Sequence, residues 1–198
     1  MTSKRFILLV GVVGILLSRG IARAQAQAWG VGASVGLTND IDHRFALDEF
    51  RRHDVNAWVQ YEIEERVMLR GSFGSLRVSG ANAGTTGNVG GSPIALPDLT
   101  DRINYGTLGV SYEFWEGTYT SGLFAGIGGY RIEPEAVATV FESFRDVRET
   151  VFGFHVGVDG SVQVVPRLSL LARLTLHKIY SAEGHSILTA NAGLLYRF

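Results

Sequence analysis

The sequence predicts an all-β fold, an eight-stranded antiparallel up-and-down transmembrane β-barrel. Three observations predict it. Apolar and polar residues alternate with period two through most of the chain after residue 28, the period of a strand whose two faces meet different surroundings. Tight turns alternate with long connections, as in barrels that cross a membrane with short turns at one end and long loops at the other. Glycine is abundant, 25 of 198 residues or about 13% against a usual ~7%, beside a positive mean hydropathy of +0.15.

The composition also excludes several classes. There are 11 Phe, 7 Tyr and 3 Trp and only 19% charged residues, so the chain is not disordered. The glycines follow no three-residue period, which excludes a collagen-like rod. No cysteine is present, so disulfides, thiolate metal sites and a cysteine nucleophile are excluded. The length suits one domain.

Residues 1–26 read as a cleaved export signal, leaving 27–198 as the barrel domain. Lys4 and Arg5 precede an unbroken apolar or glycine stretch from Phe6 to Leu17, and Ala24-Gln25-Ala26 supplies the small-x-small cleavage pattern. About twelve apolar residues are too few to span a bilayer as a helix, which needs ~20. Removal of 1–26 takes away Lys4, Arg5, Arg19 and Arg23, leaving 14 basic against 19 acidic residues, a net charge near −5. No polybasic run survives, which argues against a nucleic-acid partner.

Eight strands follow in order. In 29–38, Trp29, Val31, Ala33, Val35 and Leu37 alternate with Gly30, Gly32, Ser34, Gly36 and Thr38. In 54–63, Val55, Ala57, Val59, Tyr61 and Ile63 oppose Asn56, Trp58, Gln60 and Glu62. In 66–77, Val67, Leu69 and Phe73 oppose Met68, Arg70, Ser72 and Gly74. In 102–114, Leu108, Val110, Tyr112 and Phe114 oppose Thr107, Gly109, Ser111 and Glu113. In 119–131, Leu123, Ala125 and Ile127 oppose Gly122, Phe124, Gly126 and Gly128. The sixth, 149–164, is the clearest: Phe152, Phe154, Val156, Val158, Val162 and Val164 against Gly153, His155, Gly157, Asp159, Ser161 and Gln163. In 168–178, Leu168, Leu170, Ala172, Leu174 and Leu176 oppose Ser169, Arg173, Thr175 and His177. The last, 186–198, sets Leu188, Ala190, Ala192, Leu194, Tyr196 and Phe198 against Thr189, Asn191, Gly193 and Arg197.

Glu64-Glu65, Trp115 to Thr118 and Val165-Pro166-Arg167 are tight turns, whereas 39–53, 79–101, 132–148 and 179–185 are long connections. A soluble eight-stranded barrel has the same period, so the polar face decides. Facing water, it would be rich in Lys, Glu and Thr; here it is glycine, serine and a few charges, which suits a crowded lumen. The apolar face carries no charge in mid-strand, Arg77 and Arg131 falling at strand ends. Trp29, Tyr61, Phe114, Tyr119, Tyr196 and Phe198 sit near strand ends, like an interfacial aromatic girdle.

On this architecture, and on the C-terminal strand ending Leu194-Leu195-Tyr196-Arg197-Phe198, the chain resembles the small outer-membrane β-barrel superfamily of OmpA-like and OmpX-like barrels. The resemblance covers 29–198. It implies short periplasmic turns, long extracellular loops and a place in a bacterial outer membrane. It makes Leu194, Tyr196 and Phe198 an assembly signal, with the barrel-assembly machinery and periplasmic chaperones as transient partners.

The lumen parity collects Glu62, Glu113 and Asp159 against Arg70, Arg173 and Arg197, with His155 and His177 nearby. An unpaired charge in a narrow interior costs several kcal/mol, so these side chains are expected to form a structural network that fills the barrel. The other readings are a thin polar pore and a catalytic cluster. His155 and Asp159 lie four apart on one strand, roughly 13 Å by strand rise, which rules out a direct bond between them. His185-Ser186 at the lip of the last loop weakly echoes the His and Ser of outer-membrane lipid A deacylases. Asp40-x-Asp42-His43 could ligate a divalent cation but lacks the glycine and terminal Glu of a calcium loop. The arginines of that loop (44, 51 and 52) are expected to meet lipopolysaccharide phosphates. The 79–97 stretch, rich in Gly, Asn, Thr and Ala, reads as mobile. Val137, Val140, Phe141 and Phe144 make the best patch for an extracellular protein partner. Gly126-Ile127-Gly128-Gly129 lies inside a strand and is no nucleotide fingerprint.

The sequence thus leads to a non-enzymatic outer-membrane barrel, structural or adhesive through its loops, with no cofactor and no metal. The alternatives are a lipid-modifying enzyme and a narrow channel or binder for small solutes.

Overall fold

The computed structural model describes residues 29–41, 52–79, 86–89, 92–95, 100–115, 118–135, 148–181 and 184–198. The candidate export signal, the loop residues Asp42 and His43 with most of their neighbours, and the apolar patch at Val137, Val140, Phe141 and Phe144 lie outside them.

The strands are β1 (Trp29–Asp40), β2 (Arg52–Glu64), β3 (Val67–Ser79), β4 (Thr86–Val89), β5 (Ser92–Ala95), β6 (Thr100–Trp115), β7 (Tyr119–Glu135), β8 (Glu149–Val165), β9 (Leu168–Ile179) and β10 (His185–Arg197). Eight of them close into a barrel in the order β1-β10-β9-β8-β7-β6-β3-β2, all pairs antiparallel. Closure leaves no sheet edge, so every strand satisfies its backbone on both sides, which a hydrocarbon environment requires. The β1–β10 seam runs from Gly30↔Arg197 to Asp40↔Ile187, and Phe198 N–H donates to the Trp29 carbonyl at 2.8 Å.

Strands β4 and β5 form a separate hairpin within the segment that the sequence reads as one loop, with Val89 paired to Ser92. Four-residue runs containing Gly87 and Pro93 carry too little alternation to betray strands.

At the tight-turn end the ladder shifts register at Glu62/Glu64, Glu113/Trp115 and Gln163/Val165, just beside the three tight turns. Arg66 and Arg167 take positive φ there, 69° and 73°. An added residue with local bending is the usual device for ending a strand pair in a tight reversal.

Around the lower barrel the outward face is apolar. Val35, Val55, Phe73, Leu108, Leu123, Ile127 and Leu170 are all exposed outward, a surface that water would not tolerate but lipid covers. Aromatics mark both borders. Trp29 packs on Tyr61 with ring centroids 4.7 Å apart, and Tyr196 on Phe198 at 5.1 Å, at the border nearer the tight turns. Phe152 and Phe154 pack on Tyr180 at 6.4 and 6.1 Å near the other border. From Gly106 to Phe114 in β6 the band is about 20 Å tall, taking ~3.3 Å per residue and a ~40° tilt.

Above that band the strands continue, and the alternation inverts. Leu76, Val78, Ile103, Tyr105, Tyr130, Ile132, Ile179 and Ile187 point inward and form one buried cluster. The residues between them point outward and are polar: Ser75, Arg77, Arg102, Asn104, Arg131 and Lys178. The sequence reading, which assigned a polar lumen throughout and put Arg77 and Arg131 at strand ends, is corrected here. β3 runs on to Ser79 and β7 to Glu135. In that collar both faces change character: the outside is polar and the inside is a hydrophobic core.

Candidate functional site: the lumen and its extracellular collar

The lumen is built on glycine. A Cβ on Gly32 would sit 2.1 Å from the Trp58 ring, and one on Gly157 would sit 2.4 Å from the Phe124 ring. Those two glycines on β1 and β8 are therefore what lets two large rings lie across a narrow barrel. Trp58 also packs on Leu171 and Leu195, forming a small apolar floor.

Two guanidinium groups lie over these rings. Arg173 Cζ sits 3.8 Å from the Trp58 centroid and 4.9 Å from that of Phe124; Arg70 Cζ sits 5.1 Å from Phe124. Each such contact stabilises more when shielded from water. Both arginines donate to one carboxylate oxygen, Asp159 Oδ2, from Arg70 Nη1 at 3.0 Å and from Arg173 Nη2 at 3.3 Å. Arg70 Nη2 donates to Gln60 Oε1 at 3.0 Å, and Arg173 Nη1 to Asn56 Oδ1 at 3.5 Å. Cross-strand register brings them together: Asp159 faces Arg173, and Gln60 faces Arg70.

A second layer lies toward the collar. His155 and His177 are direct cross-strand partners with ring centroids 5.7 Å apart. His177 Nδ1 and the Tyr130 hydroxyl are 3.1 Å apart, and Asn56 Nδ2 donates to the Tyr105 hydroxyl. Asn191 Nδ2 donates to Asp54 Oδ2 at 2.6 Å. At the mouth beside the tight turns Arg197 pairs with Glu113 at 2.5 Å.

Of the eight lumen residues named from sequence, the structure therefore joins Arg70, Arg173 and Asp159 in one cluster, Arg197 and Glu113 in another, and His155 and His177 in a ring contact. Glu62, in half-exposed surroundings beside the β2 bulge, takes part in no ion pair among the described residues. The even pairing of three acids with three arginines is thus not what forms. Asp54, the first residue of the second strand expected from sequence, is not among those eight, yet it is a buried lumen residue. Its position, two before Asn56 on the same parity, was the available signal. Trp58, Gln60 and Asn56 were on the correct face, but nothing in the sequence says that they would meet the arginines.

At the rim, His185 and Ser186 point to opposite sides of β10. His185 Nδ1 lies 3.4 Å from Asp40 Oδ2, both buried, while Lys178 Nζ donates to Ser186 Oγ at 2.6 Å on the other face. Asp40 therefore serves an internal contact. No group of three or more His, Asp and Glu among the described residues is arranged to hold a metal ion. Leu194, Tyr196 and Phe198 face outward, with Leu195 turned in against Trp58.

No protein-family model matches the chain, and no curated protein matches it. Its fold has clear counterparts. It is similar to a major outer membrane protein of Thermus thermophilus (TM-score 0.58, 13% identity, 88% of this chain and 100% of that one). It is similar to Neisserial surface protein A (0.55, 12%, 88% and 98%). It is also similar to Ail, the attachment invasion locus protein of Yersinia pestis (0.51, 14%, 87% and 97%). With its strand order, closure and apolar outer band, the chain has the fold of the small eight-stranded outer-membrane β-barrels, the OmpA-like and OmpX-like group.

Proposed function

We propose that the protein is a non-enzymatic surface protein of a bacterial outer membrane, structural or adhesive, acting through what it displays outside the cell. The observation that carries this reading is the filled lumen. Trp58, Phe124, Arg70 and Arg173 interlock across it, and a second, aliphatic layer closes it above. The charged groups at its centre, Arg70, Arg173 and Asp159, are paired with one another, which leaves the collar and the segments that join its strands as the surface for interaction. One similar barrel is named for attachment and invasion; a shared fold supports this only as analogy. In the same reading, residues 1–26 are cleaved on export. Periplasmic chaperones and the barrel-assembly machinery read Leu194, Tyr196 and Phe198, and lipopolysaccharide surrounds the collar.

Two measurements test it. The folded protein in planar bilayers gives no stepwise conductance; steady unitary currents would overturn the closed barrel. Replacing 42–51 and 136–147 by short Gly/Ser linkers leaves a heat-modifiable barrel but abolishes attachment of the cells that display it. Undiminished attachment would overturn the surface role.

A further inference from the structure

The strands of the collar end at different heights. β8 is paired with β7 as far up as Glu149, which faces Ile132. On its other side the ladder with β9 reaches Gly153, which faces Ile179, and one further bond runs from Tyr180 N–H to the Phe152 carbonyl at 3.0 Å. There β9 ends because the chain reverses at once. Gly184 N–H donates to the Ser181 carbonyl at 3.1 Å, and His185 already pairs with Ile179. Residues 149–151 thus have β7 on one side and, among the described residues, no strand on the other.

Within an antiparallel ladder the N–H and C=O of one residue point to the same side, and successive residues alternate. The Phe152 carbonyl points toward β9, so the main chain of Thr150 points that way as well, past the end of β9. Its N–H and C=O meet no partner among the described residues. Thr150 is exposed and lies two residues beyond Phe152, ~5 Å higher along a tilted strand, clear of the apolar band.

The other margin of this raised sheet is different. β3 also runs past its ladder with β2, which starts at Leu76 facing Asp54. There the Thr38 hydroxyl donates to the Arg77 carbonyl, and Arg77 and Val78 have further partners within the chain. An open sheet edge is a template for another strand, and proteins usually cover it. The β3 margin follows that rule, and the β8 margin does not.

We infer that the β8 edge at Thr150 accepts one extended strand of a partner protein, which continues the line of β9 above Tyr180 and bonds to the Thr150 main chain. Main-chain bonds supply the affinity in such an addition, and alternate side chains supply the choice of partner. On the inner side Val151 packs, partly buried, against the collar cluster, so the residue that the added strand turns inward is a β-branched aliphatic. On the outer side its residue lies beside exposed Thr150 and is polar. A second copy of the barrel does not fit. Standing upright about a twofold axis along the membrane normal, its β8 runs the same way and brings Thr150 level with Thr150, whereas a parallel ladder needs the facing residues staggered by one. The inference rests on the proposed surface role and names its contact.

The test uses the folded full chain in lipid vesicles. The probes are two short synthetic peptides of alternating Thr and Val flanked by lysine, one N-methylated at every Val and the other at every Thr. Opposite residues of a ladder share a face and exchange their main-chain bonds, so the Thr residues of the peptide are the ones that meet Thr150. The peptide methylated at Val therefore binds and slows exchange of the Thr150 amide at least about tenfold, and the one methylated at Thr does not. Thr150→Pro removes the N–H at an edge, where proline is tolerated. It lowers binding at least about tenfold, roughly what one hydrogen bond provides, while gel migration stays heat-modifiable. Thr150→Val, which keeps the N–H, binds as wild type does. Slow exchange of the Thr150 amide in the protein alone would overturn the edge, because the chain would then cover it itself. Equal binding of the two peptides, or undiminished binding by Thr150→Pro, would overturn it as well. A dimer that Thr150→Pro dissociates would overturn it in favour of a second copy. Undiminished cell attachment after the loop replacement would instead sink the surface role, which peptide binding at Thr150 does not measure.

Discussion

The lower barrel and its collar are made of the same strands with the same two-residue period, yet their insides are opposites. Below Phe73, Gly106 and Phe152, apolar side chains face out, and the lumen holds Arg70, Arg173, Asp159 and glycine. Above them, Arg102, Asn104 and Arg131 face out, and Ile103, Ile132, Ile179 and Ile187 face in. Nothing in the backbone changes at the boundary. The side chains exchange roles, as a change of surroundings from hydrocarbon to water would require. The lower half is held by lipid outside and paired polar groups inside; the collar is held as a soluble barrel is, by burying apolar surface.

That contrast can be broken at three points. The largest effect is expected from Arg173→Ala, which leaves Asp159 with a single partner and uncovers the Trp58 ring. It should cost about 3–5 kcal/mol, as removal of one partner of a buried ion pair does. Denaturant unfolding from lipid vesicles measures this, and Arg173→Lys should recover only part of the loss because an ammonium cannot stack flat on the ring. Next is Ile103→Ala in the collar, a cavity mutation expected to cost about 2–4 kcal/mol. If the collar were an open vestibule instead of a core, the same unfolding experiment would show almost no change. The smallest effect, and the sharpest contrast, is between glycines. Gly32→Ala drives a methyl into Trp58 and should destabilise by about 1–3 kcal/mol. Gly106→Ala, facing open space, should stay within about 0.5 kcal/mol of wild type. Equal costs would mean that inside and outside have been assigned wrongly.

How much of this was legible in the sequence differs by element. β8 was legible almost residue by residue, because Phe152 to Val164 alternates without interruption against His155 and Asp159. β7 runs on to Glu135, past the 131 at which the alternation in the sequence ends. Ile132 lies on the parity that further down belongs to the lumen, so a period read in one phase stops where the phase flips. The short hairpin β4–β5 was not legible, since its pairing owes little to its side chains. In the lumen, parity alone placed Arg70, Arg173, Asp159 and Trp58 on one face. It could not rank their partners, which come from strands far apart in sequence. Arg70 reaches Asp159 across 89 residues, and Arg173 reaches Asn56 across 117. Asp54 opens the expected second strand beside the charged run Arg51, Arg52 and His53, which hides that it is buried in the lumen.

By itself the sequence determined the period, the number of strands that close, the apolar outer face and the position of the tight turns. These are local properties, written in consecutive residues. Tertiary structure alone decided which side chains meet inside, that Glu62 joins no ion pair among the described residues, and that the interior carries two chemically different layers. Each depends on the shear and closure of the barrel, which set the register between strands. Register is a property of pairs of strands, and no single strand encodes it.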